Sequence, residues 1–157
     1  MNSREVFTDL LVNGEHQSVE VERDTSLLNA LRSLGLTGTT GACEEGECGS
    51  CTVLLDDTPI CSCLLPAVVC SGKRIVSIEG VVDPALSDAL IKHGAVQCGF
   101  CTPGFIVRIT ALLTEHEHID RDRVREELAG NLCRCTGYEA LINAVLELAS
   151  PQDTRQR

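Results

Sequence analysis

The sequence predicts an α+β chain of two small domains: a β-rich domain over residues 1–78 and an α-helical domain over residues 84–150. Three observations carry that reading. Apolar residues alternate from Val6 to Val12 and stop at Asn13-Gly14, a strong hairpin signal. Beyond Glu79–Pro84 the apolar spacing changes to that of helices. The ten cysteines divide six to four between the halves, so each half carries its own set.

The β-rich half begins with Val6, Thr8, Leu10 and Val12 alternating with Phe7, Asp9 and Leu11. Val19 and Val21 continue the return strand. Asp24 or Thr25 can cap a short helix bearing Leu27, Leu28, Leu31 and Leu34, and Gly35 ends it. A Gly-rich stretch from Gly38 leads through Cys43, Cys48 and Cys51. Thr52–Leu55 reads as a buried strand, residues 56–59 as a turn, Ile60–Leu64 as another strand and Lys73–Ile78 as the last.

In the helical half, Ser87–His93 reads as a short helix ended by Gly94. Thr102 followed by Pro103 is a cap with proline at the first helical position, where its missing N–H costs nothing. Phe105, Ile106, Ile109, Leu112 and Leu113 form the apolar face of that helix. Asp120 caps the next, which buries Val124 and Leu128 and stops at Gly130. The last helix carries Leu141, Ile142, Val145 and Leu148, and the tail from Pro151 is expected to fray.

Composition narrows the function. The 157 residues are 43% hydrophobic, enough for a core without disulfide staples. The net charge of −10 argues against nucleic acid and anionic membrane surfaces as partners. At 3% aromatic residues, no platform for stacking bases is offered. The N-terminus lacks an apolar signal-peptide region, and the most apolar run, Ile60–Cys70, is too short to span a bilayer. A soluble, cytoplasmic protein is expected. Its thiols would be reduced there, which favours metal binding over disulfides.

Cys43-x4-Cys48-x2-Cys51 has the spacing of plant-type [2Fe–2S] sites. Three thiolates then converge from one loop, and Gly46 and Gly49 let its backbone approach and take φ > 0. A zinc knuckle at Cys48-x2-Cys51 would leave Cys43 without a role. The fourth ligand is either Cys61 or Cys63. Both would point to the same face of a strand, so periodicity does not choose between them. Glu44, Glu45 and Glu47 surround these ligands, and negative charge there disfavours adding an electron.

Cys98-x2-Cys101 and Cys133-x-Cys135 form the second set, each pair placed just ahead of a predicted helix. Helix N-termini direct N–H groups and positive potential at such a site. Spacing alone leaves this set open between an iron–sulfur cluster and a structural zinc. Cys70 and the unused member of Cys61/Cys63 are expected to be core thiols. His116-x-His118 lies among acidic residues and reads as solvated surface. No catalytic triad, GxGxxG or P-loop is apparent, so no catalytic residue is assigned.

Five strings together resemble the small iron–sulfur subunit of the xanthine oxidase/dehydrogenase family of molybdenum hydroxylases. They are LTGT at 36–39, CEEGECGSCTVLLD at 43–56, SCLLPA at 62–67, QCGFCTPG at 97–104 and GNLCRCTGY at 130–138. The resemblance implies a ferredoxin-like β-grasp domain followed by a four-helix domain. It implies one [2Fe–2S] cluster on Cys43, Cys48, Cys51 and Cys63, and another on Cys98, Cys101, Cys133 and Cys135. SCLLPA thereby selects Cys63 and leaves Cys61 as a packed thiol.

The family relationship further implies an electron-transfer subunit of an oxidoreductase, with no turnover by this chain alone. Electrons would pass from a molybdopterin cofactor on a large partner subunit through both clusters to FAD on a medium subunit or to another acceptor. Gln97 and Cys135 match positions that hydrogen-bond the pterin. HGAV ahead of QCGFCTPG is similar to xanthine dehydrogenase small subunits, which implies xanthine or another N-heterocycle as the substrate of the complex. Sister enzymes use aldehydes, carbon monoxide or aromatic thioesters. A diffusible two-cluster ferredoxin and a zinc-stabilised interaction module are the alternative readings. The sequence departs from the family in placing Ala42 where glycine is usual; if φ > 0 is needed there, Ala42 is strained or the turn has shifted by one residue.

Overall fold

The computed structural model describes residues 5–81, 83–115 and 118–149. Strands β1 (Glu5–Val12) and β2 (Glu15–Glu22) form an antiparallel hairpin in which Glu5 pairs with Glu22 and Val12 with Glu15. Its two-residue turn works because Asn13 and Gly14 both take positive φ, 52° and 85°. Helix α1 (Leu27–Ser33) follows. Its cap is Ser26, whose hydroxyl accepts the Asn29 N–H at 3.2 Å, rather than Asp24 or Thr25.

The second hairpin joins β3 (Thr52–Leu55) to β4 (Thr58–Cys61). Asp56 and Asp57 take φ of 49° and 68°, so the turn closes in two residues rather than running to Pro59. Pro59 sits within β4, which its edge position in the sheet allows. The strand expected to reach Leu64 stops at Cys61, and Ser62–Leu64 wind into a 3₁₀ turn. Strand β5 (Arg74–Val76) lies between β1 and β3, parallel to the first and antiparallel to the second. The sheet order is β2-β1-β5-β3-β4. This mixed sheet and α1 enclose a core of Leu10, Val12, Val21, Leu27, Leu31, Val53 and Ile75.

Helices α2 (Pro84–Lys92), α3 (Thr102–Glu115), α4 (Arg121–Leu128) and α5 (Glu139–Ala149) build the second half. Helix α2 begins almost a turn earlier than Ser87. Asp83 accepts the Leu86 N–H at 3.0 Å, and Pro84 takes the first position. Asp120 caps α4 through the Arg123 N–H at 2.8 Å. Phe105, Ile109, Leu112, Val124, Leu128, Ile142 and Val145 close this second core. His118 is exposed, as the sequence suggested, while His116 and the tail from Pro151 lie outside the described residues.

The two halves are packed together. Val107 and Ala111 of α3 bury against Leu54 of β3, with Val76, Ile78 and Val81 alongside. Gly104, in the first turn of α3, lies so close to the cysteine loop that a Cβ there would stand 2.4 Å from the Gly49 carbonyl oxygen.

Candidate iron–sulfur sites

The N-terminal loop is held by its surroundings rather than by regular structure. Arg32 donates from Nη1 to the carbonyls of Thr37 and Thr39, each at 2.9 Å. Glu79 accepts the Gly38 N–H at 2.8 Å. Within the loop Glu44, Gly46 and Gly49 take φ of 56°, 80° and 68°. Ala42 does not enter that region, so the strain considered for it falls on Glu44 instead. The resulting turns aim backbone amides at sulfur. The Glu45 N–H donates to Cys43 Sγ at 3.4 Å. That contact, with the Cys48 amide and thiol, lowers the Cys43 thiol to about 7, and the Glu47 amide assists.

Cys43 and Cys48 make one sulfur pair, Cys51 and Cys63 another. Burial and then the neighbouring Cys51 push Cys63 up to about 12, while the Gly46 N–H opposes the rise. The 3₁₀ turn that carries Cys63 is anchored by Ser62, which donates from Oγ to the Cys51 carbonyl at 2.8 Å. Cys70 is the buried core thiol expected. Cys61 is not: it is half-buried at the end of β4, its sulfur beside Cys51 and 3.8 Å from the Gly46 carbonyl oxygen.

The C-terminal site also forms from two pairs. The sulfurs of Cys98 and Cys135 approach to 3.7 Å, and Cys101 hydrogen-bonds Cys133. Burial raises Cys133, but hydrogen bonds from the Thr136 hydroxyl and amide and the Cys135 amide outweigh it and leave the thiol at about 7. Cys101 is pushed up to about 12 by burial and by Cys133. In the Cys101–Cys133 pair one sulfur holds a proton against a more acidic neighbour, which is the place a metal takes when thiolates become ligands.

No group of three or more His, Cys, Asp or Glu among the described residues gathers around one point as a single ion requires. Cys43 meets Cys48, Cys51 meets Cys63 and also Cys61, Cys98 meets Cys135 and Cys101 meets Cys133, and a [2Fe–2S] cluster takes four cysteines over two irons. The donor set and its inward amides fit such a cluster at both sites.

Supporting residues that sequence reasoning did not single out complete the geometry. Tyr138, at φ 69°, accepts the Cys133 N–H on its hydroxyl at 2.9 Å. Its ring meets Phe105 edge-on at 6.2 Å, tying the loop to the helical core. Asn131, almost fully buried, donates from Nδ2 to the Gly49 carbonyl at 2.8 Å. Thr40 Oγ1 lies 3.1 Å from the Ser50 carbonyl and 3.0 Å from that of Phe100. The Leu132 N–H donates to the Cys48 carbonyl at 2.8 Å, so a backbone hydrogen bond to a ligand residue itself joins the two cysteine sites. Of these only Asn131 is a polar side chain buried almost completely, and its burial comes from contacts between distant segments that no local motif signals.

Gln97 is exposed and donates from Nε2 to the Cys135 carbonyl at 3.2 Å. It thus links the Cys98 and Cys135 loops, and its own carbonyl oxygen remains as an acceptor.

Comparison with known proteins agrees with this geometry. Residues 10–68 match the 2Fe-2S iron-sulfur cluster binding domain, and residues 77–146 match the [2Fe-2S] binding domain. The chain is 42% identical to the nicotine 6-hydroxylase small subunit of Paenarthrobacter nicotinovorans, covering 92% of this chain and 90% of that one. It is 42% identical to the xanthine dehydrogenase iron-sulfur-binding subunit of Escherichia coli O157:H7, covering 94% and 97%. Among solved structures, quinoline 2-oxidoreductase from Pseudomonas putida 86 matches with a TM-score of 0.88 and 43% identity, over 94% of both chains. The chain belongs to the family of small iron–sulfur subunits of molybdenum hydroxylases of the xanthine oxidase/dehydrogenase type, and with them to the oxidoreductases that carry two [2Fe–2S] clusters.

Proposed function

We propose that this chain relays electrons from a molybdopterin centre on a large partner subunit, through two [2Fe–2S] clusters, to FAD on a medium subunit. Cys43, Cys48, Cys51 and Cys63 hold the N-terminal cluster. Cys98, Cys101, Cys133 and Cys135 hold the C-terminal one. When bound, such a cluster takes up and releases one electron at a time.

The observation that carries the reading is the hydrogen bond between the Leu132 N–H and the Cys48 carbonyl, 2.8 Å long. Leu132 precedes one ligand and Cys48 is another, so a short bonded route runs between the sites. The chain's own residues serve that route in three ways. Amides of Glu45 and Cys48 at one site, and of Thr136 and Cys135 at the other, hold thiolates by hydrogen bonds. Asn131 fixes the spacing of the loops. Exposed Cys98, Cys135 and Gln97 present the C-terminal site to a partner, where the Gln97 amide can meet a pterin edge as donor or acceptor.

Xanthine or another N-heterocycle is the substrate class of the complex. Relatives whose names specify nicotine, xanthine and quinoline support this, as does HGAV ahead of the QCGFCTPG string. None of the described helices is long and apolar enough to cross a membrane. Ten cysteines, eight of them assigned here to clusters, suit the reducing cytoplasm, which is where we place the complex.

The purified complex is expected to contain about four iron and four sulfide per copy of this chain. Reduction by substrate should give two distinct electron paramagnetic resonance signals, because the two protein shells differ. A single signal integrating to about one spin per chain contradicts the assignment.

A further inference from the structure

We propose that Cys61 is a second competent fourth ligand of the N-terminal cluster, standing in reserve beside Cys63. The proposal rests on the cluster assignment above and goes beyond it, because the family resemblance gives Cys61 no role. A thiol two residues from a ligand on a regular strand would be about 6–7 Å away along the same face. Here the strand ends at Cys61, and the chain winds at once into the 3₁₀ turn Ser62–Leu64. Cys61 is the extended cap of that turn, so Cys63 leaves the strand direction instead of lying farther along the same face.

Ser62 between them is fixed to the Cys51 carbonyl by its hydroxyl at 2.8 Å and its amide at 3.3 Å. Cys61 and Cys63 therefore straddle a residue clamped to a ligand. Both sulfurs hydrogen-bond Cys51. Both also meet Gly46: its N–H donates to Cys63, and its carbonyl lies 3.8 Å from Cys61 Sγ. These two sulfurs thus share the same neighbours on the cluster side of the loop.

The difference lies in the hydrogen bonds. The Gly46 N–H is directed at Cys63, whereas Cys61 Sγ faces the Gly46 carbonyl oxygen at 3.8 Å. An inward amide thus meets sulfur at Cys63 and not at Cys61, which makes Cys63 the resting ligand. Exchange breaks the Fe–Sγ bond of Cys63 and forms one to Cys61. Cys61 gives up its thiol proton to water and the released Cys63 thiolate takes one, so iron keeps its charge and no electron moves.

The test is made in the assembled enzyme. Cys63→Ala should retain about four iron per chain and an N-terminal resonance signal with shifted g values, because the new ligand lacks the Gly46 N–H. The double variant Cys61→Ala/Cys63→Ala should fall to about two iron per chain and show the C-terminal signal alone. Loss of the N-terminal signal in Cys63→Ala alone, with the C-terminal one intact, overturns the proposal. If that variant does not accumulate, Cys63→Ser decides: its N-terminal spectrum should change when Cys61→Ala is added, and identical spectra overturn the proposal. Wild-type enzyme with fewer than about four iron per chain would instead refute the cluster assignment on which it rests.

Discussion

At the scale of single residues, the sites are built from hydrogen bonds to sulfur and to the loops that bear it. Gln97 shows how one amide can serve both ends. Its Nε2 already holds the Cys135 carbonyl at 3.2 Å, which fixes one cysteine loop against another. Its carbonyl oxygen is left for a partner's group. Gln97→Ala should therefore keep both clusters, since no ligand is touched. It should slow reduction of the C-terminal cluster by substrate about two- to tenfold, the worth of one net hydrogen bond. Stopped-flow reduction followed at the visible absorbance of the clusters measures this. Full speed together with full molybdenum content would reduce Gln97 to a loop tie.

At the scale of elements, local turn chemistry decided most of what could be read in advance. Asn13-Gly14 fixed the first hairpin, and Pro103 and Asp120 marked two helix starts, whereas the start at Pro84 was read three residues late, at Ser87. The cysteine spacing showed which loops matter. What stayed hidden depended on contacts between distant segments. The 3₁₀ turn at Ser62–Leu64 exists because Ser62 bonds the Cys51 carbonyl, and no periodicity records that bond. Asn131 is buried by its bond to Gly49, 82 residues away in sequence. Gly104 is hidden in the same way. Helix propensity favours alanine over glycine by about 0.8–1.0 kcal/mol. Here the added Cβ would meet the Gly49 carbonyl at 2.4 Å, where backbone faces it and little can yield. Overpacking of this kind costs roughly 1–3 kcal/mol. After the propensity gain, about 0–2 kcal/mol of cost is left, so Gly104→Ala should lower the Tm of the cluster-loaded complex by up to about 8 °C. Thermal bleaching of the cluster absorbance reports it, and a rise in Tm would show that helix propensity outweighs the seam.

At the scale of the whole molecule, the two sites present different chemistry to their surroundings. Exposed Glu44, Glu45 and Glu47 surround the N-terminal ligands in a chain of net charge −10. The C-terminal loops instead expose Val96, Phe100 and Leu132, at 37%, 49% and 52% of their surface. Single exposed apolar side chains are ordinary. Three of them on the loops that carry Cys98, Cys101 and Cys133 read as a surface made to be covered. Phe100 and Leu132 each have about half their surface left to bury, worth about 0.8–1.5 kcal/mol apiece, so the two together contribute about tenfold or more in affinity. Replacing both with a charge also leaves an unpaired carboxylate in the contact. Phe100→Glu/Leu132→Glu should therefore weaken binding of the large subunit at least about a hundredfold. Size-exclusion chromatography should then separate this chain from its partner, still carrying about four iron and both resonance signals. Glu44→Gln/Glu45→Gln, at the other site, should leave that association unchanged. Co-elution of the double glutamate variant at full stoichiometry, with wild-type reduction by substrate, would mean that the large subunit is bound elsewhere on the chain.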